Sequence, residues 1–350
     1  MPYRIAINGY GRIGRSILRA MLKRPDTNGL VLAAINEPAD PEAIGLLTRY
    51  DSNHGRIDRP VSLQPDHLLV NGQPIQLLPG VDAAEAPWDD LGIDLVLECS
   101  GLYADRAAGQ AHLDAGARRV LFSQPGTPDL GLTVIKGFND NRVTPEHTLL
   151  SAGSCTTNCL IPALDVLQSR FGLVRGTATT LHSAMNDQPV SDTLNGNALR
   201  LGRAALNAMM PVDTALGRGI ERLMPELAGR VDCLHIRVPT TAVSALDIAF
   251  EVEQPTSSMA VRAAFMDAAE GPWRDVLGAC ADPVSSVDFA GDPRSAIVDL
   301  TQIRVIDGHL VKLLCWFDNE WGFANRMIDL AIQLSRLKSA ESTPSLSTLH

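Results

Sequence analysis

The 350-residue sequence has no excess of positive charge: 30 lysines and arginines stand against 40 aspartates and glutamates, for a formal net charge of −10. There is no basic footprint for nucleic acid or an anionic membrane, so any phosphate the chain binds has to be caught by a local site. Long apolar runs of the signal-peptide or membrane-spanning kind are also missing, and the opening Met-Pro-Tyr-Arg-Ile-Ala-Ile-Asn enters a strand-like pattern at once. A cytoplasmic protein without membrane partners is expected. The six cysteines lack the spacing of a small disulfide scaffold, which points to reduced thiols. Cys155 and Cys159 resemble half a metal site, but no second Cys/His pair has a matching spacing, so no metal is expected. No internal repeat is visible. The remaining composition, 45% hydrophobic and 20% charged, is that of an ordinary globular protein long enough for two domains, each with its own core.

The first motif follows a short apolar strand, Tyr3 to Ile7. Asn8-Gly-Tyr-Gly-Arg-Ile-Gly14 leads into a helical pattern carried by Ile17, Leu18, Met21 and Leu22. Glycines spaced G-x-G-x-x-G between a strand and a helix suit a dinucleotide. Gly9 permits the turn, Gly11 lets backbone approach a pyrophosphate, Gly14 allows close packing, and the helix N-terminus faces the phosphates. Glycine turns after strands are common, so the next strand is the second test. Leu30-Val-Leu-Ala-Ala-Ile-Asn-Glu37 ends in an acid 23 residues past Gly14, where such folds place the carboxylate that holds an adenosine ribose. Glu37 is otherwise a solvated strand-end acid. In the ribose role it would repel a 2′-phosphate and favour NAD over NADP.

Further apolar strands are read at Leu95–Gly101, Arg119–Pro125, Leu132–Gly137 and His147–Ser151, with a helix from Arg106 to Ala117 ending at Gly116. Alternating strands and helices predict an α/β fold with a Rossmann-type, doubly wound, mainly parallel sheet. Ser100, Gly101 and Ser123 fall at the strand ends where ligands bind in such sheets. After residue 154 the pattern changes to longer, β-branched, alternating strands at 176–183, 234–238, 243–252, 298–305 and 312–317, which predict an α+β catalytic domain with a mixed or antiparallel sheet. The expected division is 1–154, completed by a C-terminal helix at about 320–338, then 155–319, with a flexible tail at 339–350.

The stretch Ser151-Ala-Gly-Ser-Cys-Thr-Thr-Asn-Cys159 precedes an apolar helical run, Leu160 to Leu167. An isolated cysteine is most often a small buried side chain. Ser154, Thr156 and Thr157, however, surround Cys155 with hydroxyls rather than core. A helix starting at Cys155 would set the thiol among unpaired N–H groups that favour a thiolate. Cys155 is therefore read as a nucleophile. A nucleophilic thiol needs a base that later serves as an acid. Of the eight histidines, His182 at a strand end is the leading candidate and His235, near Arg237, the second; His54, His67, His112 and His350 read as structural or surface residues.

With these motifs in place, the chain resembles the glyceraldehyde-3-phosphate dehydrogenase family from end to end. The resemblance runs through Asn8–Gly14, Ser154-Cys-Thr-Thr-Asn-Cys159, Asn186-Asp-Gln188, Arg237-Val-Pro-Thr240 and Trp316-Phe-Asp-Asn-Glu-Trp-Gly322. It implies an NAD-dependent oxidation of a phosphorylated aldehyde by a homotetramer, with Cys155 as nucleophile and His182 as its activator. It also implies that Arg12 and Ile13 contact the cofactor pyrophosphate, Glu37 the ribose and Asn319 the nicotinamide amide. Ser154, Thr156, Thr214, Ala215 and Arg237 match substrate and phosphate contacts, and either Arg200 or Arg203 a further anion contact.

The chain also departs from the usual family pattern. Where the family usually reads His-Ala-Tyr-Thr-Asn-Asp-Gln, this sequence has His182-Ser-Ala-Met-Asn-Asp-Gln188, and Met185 replaces a hydroxyl donor. The loop usually written Pro-Ser-Ser-Thr-Gly is Pro211-Val-Asp-Thr-Ala215, which adds the Asp213 carboxylate and loses a glycine. Together with Ser286-Val-Asp-Phe-Ala-Gly-Asp-Pro-Arg-Ser-Ala-Ile-Val-Asp299, these features resemble the branch of the family that oxidises erythrose 4-phosphate, with water as acyl acceptor, for pyridoxal 5′-phosphate synthesis. The rival within the family is the phosphorylating glycolytic activity.

Overall fold

The computed structural model describes residues 2–195 and 199–341. They form two compact units that divide after Gly153 and again at Ala324, the described residues before and after these points making one unit and those between them the other. The break falls one residue before the expected one because Ser154 caps the helix that opens the second unit.

The first unit is built on a nine-stranded sheet. From edge to edge its strands are Leu132–Thr133, Leu149–Ser151, Arg119–Phe122, Leu95–Glu98, Tyr3–Asn8, Leu30–Asn36, Gln73–Leu78, His67–Val70 and Val61–Leu63. The first seven pair in parallel. Ile5, Ile7, Val96, Leu97, Val120 and Leu121 are all essentially buried, as expected for parallel strands covered on both faces. The chain reverses its winding between Tyr3–Asn8 and Leu95–Glu98, so their carboxyl ends flank the crevice where doubly wound sheets bind ligands. The sheet is mainly parallel, as expected, and only its other edge is antiparallel. Gln73–Leu78, His67–Val70 and Val61–Leu63 form an antiparallel meander, and its short polar-interrupted strands carry little periodic signal.

A buried polar chain ties these strand ends together. Asn36 donates to Asn8 (2.7 Å), Asn8 to Glu98 (2.5 Å), and Trp88 Nε1 to His112 Nδ1 (3.0 Å). Because Nδ1 accepts from the indole, the His112 proton lies on Nε2, which donates to Glu98 at 3.1 Å. Trp88, His112 and Glu98 are at most 1% exposed. The helix Trp321–Glu341 also joins this unit: Arg24 bonds Asn325 and Asp329, Lys338 bonds Asp94, and Gln333 bonds the Asp140 carbonyl. It runs on to Glu341, so the start of the expected tail is helical, and residues 342–350 lie outside the described residues. Among the described residues no helix is long and apolar enough to cross a membrane.

The second unit carries an eight-stranded mixed sheet in the order Met210–Val212, Val231–Val238, Leu173–Ser183, Ser244–Val252, Leu310–Phe317, Ala296–Asp299 and Leu277–Cys280, with Arg304–Ile306 also pairing on Leu310–Phe317. Most pairs are antiparallel, but Val231–Val238 runs parallel to Leu173–Ser183 and sets Thr180 beside His235 and His182 beside Arg237. The single strand expected at 298–305 is broken. Asp299 accepts from the Thr301 N–H and turns Leu300–Gln302 into a short 3-10 helix. The helices Cys155–Phe171 and Ser258–Glu270 pack on the sheet. Residues Thr156–Leu164 are buried without interruption, so the first turns of the Cys155–Phe171 helix are enclosed around their whole circumference.

Replacing Trp88 by Phe would remove the indole donor and leave His112 Nδ1 buried without it. We expect Trp88→Phe to cost about 1–3 kcal/mol, read as a lower urea midpoint at unchanged slope.

Candidate active site

In the first unit, the glycine turn has the geometry a dinucleotide needs. Gly9 has φ +88°, and a Cβ there would lie 2.4 Å from the Ser100 backbone. Only glycine therefore allows the turn to pass beneath the Ser100 loop. A Cβ on Gly14 would meet the Gly9 carbonyl at 2.6 Å, whereas Gly11 has open space around it. Gly11 is the N-cap of the helix Arg12–Lys23, which has no capping side chain and no acid in its first turn, so its N-terminus suits an anion. Ile13 is half-buried in that turn.

The Arg12 guanidinium is engaged elsewhere, in an ion pair with Asp51. Burial would raise the Asp51 carboxyl, but hydrogen bonds from His54 and Arg12 outweigh it and hold the group far below the usual carboxylate range. Arg12 can therefore offer its backbone N–H more readily than its side chain. Glu37, just past its strand, accepts from the Tyr10 N–H at 2.7 Å, which fixes its carboxylate against the glycine turn. Ser123 stands half-buried just beyond Phe122, its N–H on the Glu98 carbonyl at 2.9 Å. Glycine turn, uncapped helix and fixed carboxylate together fit a pyrophosphate and an adenosine ribose.

In the second unit, Ser154 Oγ accepts from the Thr157 N–H at 3.0 Å, making Cys155 the first helical residue. Its Sγ lies 3.6 Å from His182 Nε2 and 3.9 Å from Thr156 Oγ1. His182 ends the long strand Leu173–Ser183 and is 3% exposed. Its Nδ1 lies 2.8 Å from the Ser183 carbonyl. A carbonyl can only accept, so Nδ1 carries the proton of the neutral ring and Nε2 presents its lone pair to the thiol. The ring of His235 stacks on that of His182, with centroids 4.9 Å apart and planes at 26°, while Phe317 meets it edge-on at 6.4 Å.

Burial pushes the Cys155 thiol up to about 11, against hydrogen bonds from Thr156 that act the other way. Burial thus acts against the thiolate that the helix start favours. A helix N-terminus contributes only about 0.3–1 kcal/mol to an anion, less than the roughly 1.4 kcal/mol behind each tenfold change in acidity. Burial, reinforced by Arg237, likewise keeps His182 below the ordinary imidazole range despite the Ser183 carbonyl. Nε2 is the group placed to accept a proton from Sγ.

Arg237, 8% exposed, forms an ion pair with Asp187 and reaches Gln188 Oε1 at 3.3 Å. Asn319 Oδ1 accepts from Ser183 (3.0 Å) and Ser244 (3.1 Å), which fixes the amide and leaves its NH₂ as the group those serines do not use. Thr214 Oγ1 accepts from the Leu216 N–H at 3.2 Å and so shapes the start of the helix Leu216–Leu223; Ala215, its N-cap, is exposed. Of the two candidate arginines, Arg203 is paired with Asp192, whereas Arg200 makes a single long contact to the Pro211 carbonyl at 3.5 Å. The Asp187–Arg237 pair and the two serines on Asn319 were not legible from the sequence, because they join residues 50 to 136 positions apart.

A Rossmann unit with a dinucleotide turn, together with a unit carrying a thiol against an imidazole, has the parts of a dinucleotide-dependent oxidoreductase. Two family models match: glyceraldehyde 3-phosphate dehydrogenase, NAD binding domain, over residues 3–106, and glyceraldehyde 3-phosphate dehydrogenase, C-terminal domain, over residues 154–319. The chain belongs to the glyceraldehyde 3-phosphate dehydrogenase family, whose members use NAD and act on an aldehyde phosphate.

His182→Asn would remove the acceptor facing Sγ and should lower kcat/KM by about 10²- to 10⁴-fold. Because the folded protein disfavours the imidazolium, the base form persists to lower pH than in a free imidazole. The acid limb of the kcat/KM profile should therefore fall below the ordinary value of 6.5, as steady-state NADH formation across pH 4.5–8 would show.

Proposed function

We propose that the protein oxidises D-erythrose 4-phosphate to 4-phospho-D-erythronate, with water rather than phosphate as the acyl acceptor, in a reaction serving pyridoxal 5′-phosphate synthesis. The observation that carries this reading is Met185, which stands where the family usually has a phosphate-binding threonine and is 45% exposed. A thioether cannot donate a hydrogen bond to phosphate. Asp213, also exposed, adds a carboxylate to the loop beside Thr214, and like charge there would weaken a phosphate. The segment 286–299 supports the same branch. Its first turn carries the Ser285–Asp288 capping box, and Phe289 stacks on Trp316 of the strand leading to Asn319.

The residues then act in sequence. His182 Nε2 takes the Cys155 proton, and the thiolate forms a C–S bond to the aldehyde carbon while the carbonyl oxygen regains that proton. His182 next accepts the hydroxyl proton as the C–H pair departs as hydride, leaving a thioester on Cys155. Bound NAD⁺ supplies the hydride acceptor. After His182 loses its proton to solvent, it deprotonates water, which attacks the thioester carbon; the C–S bond breaks and Cys155 leaves as thiolate. The balance is aldehyde, NAD⁺ and water giving carboxylate, NADH and two protons. In this reading Gly11, the Arg12 and Ile13 backbone and Glu37 hold the cofactor, with Ser123 beside them and Asn319 on the nicotinamide amide. Ser154, Thr156, Thr214 and Arg237, with Arg200 as the less encumbered arginine, hold the phosphorylated substrate. The active form is a homotetramer, as the family resemblance implies.

The test is NADH formation with erythrose 4-phosphate and with glyceraldehyde 3-phosphate, each with and without inorganic phosphate. We expect the four-carbon substrate to have the higher kcat/KM and to need no phosphate. A phosphate requirement with preference for the three-carbon substrate would make this a glycolytic enzyme with an altered loop. One carbon is worth only about 1–3 kcal/mol, so measurable turnover of both substrates is expected.

A further inference from the structure

His235 lies on the strand beside the catalytic one, opposite Thr180 and two residues before Arg237. Its imidazole covers one face of His182 at 4.9 Å and 26°. Its buried Nε2 makes no hydrogen bond among the described residues, so that nitrogen does not anchor the ring to the fold. The contact that the geometry does show is the stack on His182. His182 is then constrained on three sides: Nδ1 on the Ser183 carbonyl, one face on His235, and Phe317 edge-on. Only Nε2 is left for chemistry. The Ser183 bond alone fixes one atom of the ring and permits rotation about that bond, which would swing Nε2 away from Sγ. A flat partner on the ring face opposes that rotation.

We propose that His235 is a positioning residue for His182, clamping the imidazole plane so that Nε2 stays on Cys155 Sγ while the thiol is deprotonated and the hydroxyl proton is taken up. The inference rests on the thiol–imidazole mechanism given above and not on the identity of the acyl acceptor. His235 must remain neutral to do this, since a second cation stacked on a protonated His182 would repel it. The surroundings favour neutrality: burial is the main influence holding His235 down, to about 4, followed by His182 and Arg237. The other charged groups acting on the two rings are Asp187, paired with Arg237, and Glu320; both oppose Arg237 at His182.

The test is the first-turnover burst of NADH in His235→Ala and His235→Phe, normalised to active thiol by titration of Cys155, and followed across pH. The burst reports oxidation before the acyl acceptor enters, so it does not depend on whether water or phosphate completes the cycle. We expect His235→Ala to slow the burst by about 10- to 100-fold, the scale of a misplacement near 1 Å. Its acid limb should move to higher pH, because water reaching the uncovered face stabilises the imidazolium. His235→Phe, which restores a flat ring, should recover most of the rate and keep the limb low. A parental burst in His235→Ala would overturn the proposal, as would equal losses in both variants with an unmoved acid limb. If His182→Asn also left the burst intact, the thiol–imidazole mechanism itself would be at fault; a loss in His182→Asn alone would reject only the role of His235.

Discussion

One hydrogen bond, from His182 Nδ1 to the carbonyl of the next residue, decides what the catalytic unit can do. A backbone carbonyl has no proton to give and no charge to lose, so it fixes the tautomer independently of pH. With the proton held at Nδ1, the lone pair has to lie at Nε2, and Ser154 starts the neighbouring helix where it brings Cys155 within 3.6 Å of it. A carboxylate in place of the carbonyl would have made the imidazole more basic and more often protonated. The carbonyl supplies direction without that added charge.

The electrostatics follow from burial more than from any ion pair. Cys155 and His182 are each pushed toward their neutral forms, so separating charge between them costs free energy until a substrate is present to use it. The same low-dielectric setting strengthens every dipole aimed at the reacting oxygen. The positive charge of Arg237 disfavours an imidazolium on His182 and His235. Asp187 partly offsets that charge through the ion pair.

Much of this was legible in the sequence because it is encoded locally. Gly9, Gly11 and Gly14 define a turn within six residues, and the strand ending at Asn36 places Glu37 beside it. Ser154, Cys155 and Thr157 are cap, thiol at the helix start and capped amide within four residues. What the sequence hid is encoded across strands. The stack of His235 on His182 depends on the parallel pairing of Leu173–Ser183 with Val231–Val238, and no periodicity reveals a register. The antiparallel meander from Val61 to Leu78 was missed because its strands are short and half-exposed. The opposing effect of enclosure on the thiol was hidden for a related reason: helix position is visible in sequence, whereas what packs around the sulfur depends on chain far from it.

The order in which the chain visits its two units has a consequence for its birth. It leaves the first unit at Gly153, builds the whole of the second, and returns only at Ala324. Leu330 and Leu334 on the returning helix close over Leu121, Val134, Val143 and Leu150. A nascent chain emerging from the ribosome N-terminus first therefore carries the cofactor-binding sheet with this apolar patch bare until its last helix is translated. The unit that begins first is completed last.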